Sequence, residues 1–249
     1  MLRSLRAAKL IGHRGLAGLA PENTMAAFAA AADAGLRWVE LDAKLCASGE
    51  LVVLHDNKVD RTSNGQGRAE HMAWPALQRL DAGSWFDRRF AGERIPLLTD
   101  VLTFCAERGI GINIELKPNP HDYVATARVL AELLRAGRWL DRLPLLASSF
   151  SRQSLRAIKR YLPELPRGFL LERRWPAEAI LAELTALDAV SFHYDDALIS
   201  AELITAVRAS GRDVLVWTVN DADRAETLWR AGVSAVFSDL PLATTGQHR

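Results

Sequence analysis

Cysteine is almost absent from this 249-residue chain, which holds two, Cys46 and Cys105. They have no metal-knuckle spacing and cannot form a disulfide framework. That excludes a stapled secreted scaffold and fits a reducing compartment. No stretch approaches the roughly 18 apolar residues of a membrane span. The basic N-terminus, Met1 to Leu10, lacks an apolar run long enough for a signal peptide. An excess of one charge is missing too: 31 Lys and Arg stand against 30 Asp and Glu. The basic residues, mostly Arg, are scattered as solvated faces rather than gathered in a stripe, which argues against a nucleic-acid surface. Internal repeats, low-complexity segments and evident linkers are also missing. These absences leave a soluble, cytoplasmic protein as the expectation.

What is present is hydrophobic residue, 49% of the chain, enough to bury one large core. Short apolar runs alternate with Ala-rich amphipathic segments. The predicted strands are Lys9–His13, Arg37–Leu45, Gly111–Lys117, Pro144–Ser148, Arg167–Leu171, Asp188–Phe192, Asp213–Thr218 and Ser234–Ser238. Helix-period stretches lie between most of them, at Thr24–Ala34, Thr99–Glu107, Asp122–Ala136, Ser151–Tyr161, Ala177–Leu187, Ala197–Ala209 and Ala222–Ala231. Eight strands alternating with helices predict an α/β fold of the (β/α)8 TIM-barrel type. A doubly wound open sheet competes less well, because no Gly-x-Gly-x-x-Gly turn follows the first strand. Glu50–Leu54 reads as a small extra strand, hairpinned across Ser48-Gly49. Asn57 to Pro96 then lacks clear periodicity, and a loop that long is uncommon unless it has a function. The expected organisation is one domain, 1–249, with a small insertion at about 57–96 and a short or missing last helix.

Barrel active sites sit at the C-terminal ends of the strands, so the polar residues there carry the chemistry. His13 and Arg14 end the first strand, in the turn Gly12-His13-Arg14-Gly15. Histidine moves protons near neutral pH, and the planar fork of arginine fits phosphate. Glu40 and Asp42 lie two apart on the second strand and therefore share a face. His55 and Asp56 end the extra strand. Asn113, Glu115 and Lys117 share a face of the third, Trp217 lies near the end of the seventh, and Asp239 follows the eighth.

Three carboxylates converging in a barrel mouth repel one another, so a cation is their natural partner. Hard oxygen donors favour Mg²⁺ or Ca²⁺ over Zn²⁺, without choosing between the two. Plainer readings exist for each element. Glu40 and Asp42 could pair with Arg or Lys, Glu115 could pair with Lys117, and Asp56 could cap a turn. Trp217 could pack the barrel rather than touch substrate. His71, His121 and His248 are expected at the surface, and His193 either faces the pocket or sits in a loop. The conjunction is more telling than any element, because these residues all map to one rim.

At these positions the chain resembles the glycerophosphodiester phosphodiesterases. The matching pieces are His13-Arg14-Gly15, Pro21-Glu22-Asn23-Thr24, Glu40-Leu41-Asp42, His55-Asp56, Arg61-Thr62, Asp81-Ala82-Gly83-Ser84-Trp85-Phe86, Ile95-Pro96, Glu115-Leu116-Lys117 and Trp217-Thr218-Val219-Asn220. The resemblance runs from about Leu10 to Pro241 and is strongest for the short, cytoplasmic bacterial form. It departs slightly at Ser238, where Thr is frequent. It implies metal-dependent hydrolysis of a small glycerophosphodiester to glycerol 3-phosphate and an alcohol. It also implies His13 and His55 as the acid–base pair and Glu40, Asp42 and Glu115 as ligands of one divalent cation. Arg14 and Lys117 would bind phosphate oxygens, Glu22 would support the site, and Trp217 would line the glycerol pocket. The rival readings are a phosphodiester lyase on the same barrel, which would stop at a cyclic phosphate, and a non-catalytic barrel that binds phosphorylated ligands. Trp85, Phe86 and His193 are candidates for contact with the leaving alcohol.

Overall fold

The computed structural model describes residues 2–242. Its strands are β1 (Leu10–Gly12), β2 (Trp38–Leu45), β3 (Leu51–Val53), β4 (Gly111–Leu116), β5 (Leu145–Ser149), β6 (Arg167–Leu171), β7 (Ser191–Asp195), β8 (Asp213–Trp217) and β9 (Ala235–Ser238). Eight of them are parallel and run β1-β2-β4-β5-β6-β7-β8-β9, and β1 pairs with both β2 and β9, so the sheet closes. That closure excludes the doubly wound alternative. β3 adds antiparallel to the end of β2, with Ala43 opposite Val53 and Leu45 opposite Leu51, as the hairpin reading requires.

The helices are α1 (Leu2–Ala8), α2 (Met25–Asp33), α3 (Trp74–Leu77), α4 (Leu98–Arg108), α5 (Tyr123–Ala136), α6 (Trp139–Arg142), α7 (Arg152–Tyr161), α8 (Ala177–Ala186), α9 (Ala201–Ala209) and α10 (Ala222–Arg230). Several begin where the sequence supplies a side-chain cap. Thr24 accepts from Ala27 N, Ser151 from Ser154 N, Ser200 from Leu203 N and Asp221 from Arg224 N. Gly109 closes α4 in the left-handed conformation, φ 64°, which glycine adopts without a Cβ penalty.

Alternation along β2 separates two environments. Val39, Leu41 and Ala43 pack outward with Leu98, Val101 and Leu130 of the helices. Trp38 points inward and joins Ile11, Leu146, Leu215, Ala235 and Phe237 at the N-terminal end of the barrel. Leu5 of α1 is fully buried in that same cluster, so the first helix plugs the barrel floor. Arg6 beside it donates from Nε to the buried Asp213 Oδ1 at 2.7 Å. Burying one leucine side chain contributes about 1.5–3 kcal/mol. The sequence showed only a basic segment here. Its helix is short and finds its partners in strands far along the chain.

A second difference concerns the sixth barrel strand, expected at Asp188–Phe192 and found at Ser191–Asp195. Asp188 is in the left-handed conformation, φ 52°, in the turn leaving α8, so the ladder starts three residues later. This puts His193 inside the strand, fully buried, rather than after it. The following helix is also delayed, from Ala197 to Ala201. Asp195 Oδ1 accepts from Ala197 N at 2.8 Å, closing a turn before the Ser200 cap. Residues 57–96 hold α3 and two single 3₁₀ turns around a small apolar cluster that includes Val59, Leu77 and Ile95. His248, and most of the stretch where the last helix was expected to be short or missing, fall outside the described residues.

Candidate active site

The inward faces of β2 and β4 carry the acidic centre. Glu40 lies opposite Asn113 and Asp42 opposite Glu115 in the parallel register, which stacks the three carboxylates together. One oxygen from each of Glu40, Asp42 and Glu115 lies within 4.8 Å of the others, and all three residues are buried. The Glu40 Oε1 and Asp42 Oδ1 atoms are buried and accept no hydrogen bond. Buried carboxylate oxygens left without a hydrogen bond at this spacing fit a hard divalent cation.

The electrostatics pull these groups apart. Burial, with Asp42 and Glu115 close by, raises Glu40 well above the ordinary carboxylate range. Burial also raises Glu115, against the opposing pull of Lys117. Burial alone would raise Asp42, but Lys117, Arg14 and His55 outweigh it and hold Asp42 low. Lys117 Nζ lies 2.7 Å from Glu115 Oε1 and 3.8 Å from Asp42 Oδ1, so the lysine pairing considered from sequence is present. Arg14 Nε lies 3.4 Å from Asp42 Oδ2. Two cations beside three carboxylates still leave the cluster negative. The ion pairs therefore leave room for a cation among the three carboxylates.

Both histidines are held through Nδ1. His13 Nδ1 is 2.7 Å from Asp239 Oδ1, and Asp239 Oδ2 accepts from Asn220 Nδ2 at 2.8 Å. His55 Nδ1 is 2.6 Å from Asp56 Oδ1, and Asp56 Oδ2 accepts from Arg61 Nε at 2.7 Å. A carboxylate on Nδ1 fixes the proton there and leaves Nε2 for exchange. Burial lowers the His55 pKa, with Asp42 opposing and Lys117 and Arg14 adding to the effect. The hydrogen bond from Arg61 is the main reason Asp56 stays ionised far below its usual range.

Glu22 joins the two halves. Its carboxylate accepts from Arg14 Nη1 at 2.7 Å and from both terminal nitrogens of Arg61 at 2.7 and 2.8 Å. Burial would raise Glu22, but Arg61 and Arg14 lower it on balance. Asn23 Nδ2 donates to Asp42 Oδ2 at 2.8 Å. A continuous chain of contacts thus runs from His55 through Asp56, Arg61, Glu22 and Arg14 to Asp42.

These groups open into a cavity of about 360 Å³ lined by His13, Arg14, Glu40, His55, Glu115 and Lys117 on one side. Phe150, Leu170, Glu172, Trp217 and Phe237 complete its wall. Phe150 and Trp217 meet edge to face at 5.8 Å, and Lys117 Nζ sits 5.1 Å from the Phe150 ring centre. Glu22 and Asp42 stand behind the lining, and the other expected residues reach it.

Three expectations do not hold as framed. His193 is enclosed below the cavity, with Nε2 2.8 Å from Ser191 Oγ and its ring packed on Phe237. Trp85 and Phe86 pack on each other and Phe86 on Phe90 in the 57–96 segment, and neither lines the cavity. The sequence reading also missed Phe150, Glu172 and Lys44. Phe150 follows the end of β5, and no spacing rule marks it. Glu172 continues the inward parity of Gly168 and Leu170, which was a readable signal. Lys44 continues that of Glu40 and Asp42, and its buried ammonium binds the Asp56 carbonyl and, at 3.1 Å, Asn57 Oδ1.

Fold and site together define a parallel α/β barrel whose mouth sets a buried acidic triad beside an arginine, a lysine and two oriented histidines. Residues 13–243 match the profile of the glycerophosphoryl diester phosphodiesterase family, and the chain belongs to that family. It is 34% identical over 232 residues to a glycerophosphodiester phosphodiesterase of Caldanaerobacter subterraneus subsp. tengcongensis, covering 93% of this chain and 94% of that one. Its structure is similar to that of an Oleispira antarctica phosphodiesterase in complex with the product sn-glycerol-3-phosphate. The TM-score is 0.90 and the identity 35%, with 94% of each chain covered. A glycerophosphodiester phosphodiesterase from Agrobacterium tumefaciens aligns with a TM-score of 0.77 at 29% identity, over 94% of this chain and 97% of that one.

Proposed function

We propose that this protein hydrolyses glycerophosphodiesters to glycerol 3-phosphate and an alcohol, with His13 and His55 moving the protons. The observation that carries the reading is the convergence of two Nδ1-anchored histidines on a cavity that also presents the Glu40, Asp42 and Glu115 triad. Family membership supports the substrate class. Glu40, Asp42 and Glu115 hold one divalent cation, Mg²⁺ or Ca²⁺, whose charge would offset that of the non-bridging phosphate oxygens.

The chain's own groups divide the remaining work. A phosphodiester resists attack because it is anionic and its alkoxide leaving group is poor. Arg14 and Lys117 bind the phosphate oxygens and draw off charge as it develops. Glu22 holds Arg14 and Arg61 in place. Trp217 lines the pocket that receives the glycerol. His55, kept neutral near pH 7 by its burial, accepts a proton at Nε2 from the attacking water. His13 delivers a proton from Nε2 to the departing alkoxide. In the net reaction a P–O bond to the alcohol breaks, a P–O bond to the water oxygen forms, and the proton passes from water to alcohol. Acid–base assistance of this kind is worth roughly 10²–10⁴-fold. A soluble compartment, the cytoplasm, fits the scarcity of cysteine, and no helix among the described residues is long and apolar enough to cross a membrane.

The reading is tested by measuring glycerol 3-phosphate release from glycerophosphoethanolamine after EDTA treatment and after restoring Mg²⁺ or Ca²⁺. Activity lost in EDTA and regained with the cation is expected. Full activity after exhaustive chelation, verified by metal analysis, would refute the triad as a cation site.

A further inference from the structure

The cavity carries a charge that the phosphate chemistry does not use. β6 lies across the barrel from β1, four places away in either direction round the closed sheet. Its inward parity runs through Gly168 and Leu170 to Glu172, while Phe169 and Leu171 face the outer core. Glu172 thus lines the cavity on the wall opposite His13 and Arg14. Its neighbour Arg173 is turned to the other side, where the guanidinium stacks on Trp175 at 5.2 Å. Glu172 is exposed and makes no hydrogen bond or ion pair among the described residues. Every other charged group on the cavity wall is engaged: Arg14 by Glu22 and Asp42, Lys117 by Glu115, and Glu40 by the Arg14 amide. The Phe150 ring enters the same cavity from the end of β5, the strand paired with β6.

A free carboxylate beside an aromatic ring is an arrangement that receives an organic ammonium group. With the phosphate held by Arg14 and Lys117 and the glycerol against Trp217, the alcohol is left the Glu172 side of the cavity. We propose that Glu172 is a specificity-determining residue that favours substrates whose alcohol carries a cationic amine, such as the ethanolamine and choline esters. The inference rests on the phosphodiesterase reading above. A hydroxyl-rich neutral alcohol gains little from the charge, and an anionic one is repelled by it.

The test compares wild type with Glu172→Gln and Glu172→Lys on glycerophosphoethanolamine, glycerophosphocholine and glycerophosphoglycerol at low salt. An ion pair at an open cavity mouth is worth roughly fivefold in binding. Glu172→Gln is expected to raise KM for the two amine esters by about that factor. Its kcat, and both parameters for glycerophosphoglycerol, stay within about twofold. Glu172→Lys enlarges the amine-ester loss, and 0.5 M salt shrinks the wild-type preference as screening requires. A side chain that only supports the fold would depress all three substrates together, and that outcome overturns the proposal. An unchanged substrate ranking in both variants overturns it too. Wild-type protein that hydrolyses none of the three esters refutes the underlying function itself, which separates the two failures.

Discussion

Replacing Glu40 with Gln should stabilise the cation-free protein while abolishing its response to divalent cations. The sign follows from the packing of the triad. Two carboxylates no more than 4.8 Å apart repel by about 3.5 kcal/mol or more at an effective dielectric of ~20. Glu40 carries most of this burden, since burial, Asp42 and Glu115 all raise its pKa. A raised carboxyl binds its proton more tightly folded than unfolded. Its contribution to stability is therefore fully present below the unfolded value and is lost as pH rises through the folded one. In EDTA, wild-type stability should fall across that window, and the Glu40→Gln curve should be flatter there. Adding Mg²⁺ or Ca²⁺ at one hundred times Kd should contribute about 2.7 kcal/mol to wild type. For a chain of this size that is roughly 5–10 °C in Tm. Differential scanning calorimetry at several pH values, with EDTA or the cation, reads both effects. The reasoning is refuted if Glu40→Gln melts well below wild type in EDTA, or if it keeps the full cation-induced rise.

Two further perturbations probe residues that the sequence did not mark for these roles. His193 is fully buried and its pKa is pushed down to about 3, so folding opposes its protonation. Its contribution is present above the unfolded value near 6.5 and declines as pH falls toward 3, by about 2 kcal/mol between pH 7 and 5. Subtracting the His193→Gln melting curve from that of wild type should isolate this slope, and a pH-independent difference would contradict it. Lys44→Met should lower kcat roughly tenfold with little change in KM, because the lysine pins the Asp56 carbonyl and Asn57 just after His55. The buried hydrogen-bonding groups it abandons also cost about 1–3 kcal/mol of stability. An unaltered kcat in a folded Lys44→Met protein would show that the loop holds its position without this contact.

How much was legible in the sequence depended on how local the cause was. The eight barrel strands show because each is a short apolar run, and alternation along them puts Glu40, Asp42 and Glu115 on shared faces. The pairing of β1 with β9 is not local, and only the closed sheet shows it. α1 was missed because its reason for being a helix is Leu5, whose partners come from β1, β2, β5, β8 and β9. The sixth strand slipped by three residues because Ala189 and Val190 extend the apolar run, while the left-handed turn at Asp188 leaves no periodic trace. At the site, residue types and strand ends identified the histidines and carboxylates. They did not reveal what each histidine leans on. Asp239 arrives from the far end of the chain, 226 residues from His13, and Arg61 reaches back 39 residues to Glu22. Tertiary ion pairs of this kind follow from the fold, not from spacing.

The central claim is tested most directly by following glycerophosphoethanolamine turnover by phosphorus NMR with wild type, His13→Ala and His55→Ala in the presence of Mg²⁺. The account predicts that wild type converts the diester signal to that of glycerol 3-phosphate as the final product. Each histidine variant, folded by thermal melt, should lose about 10²–10⁴-fold in rate. A cyclic phosphate that persists as the wild-type end product would contradict the account, as would near-normal rates in both variants.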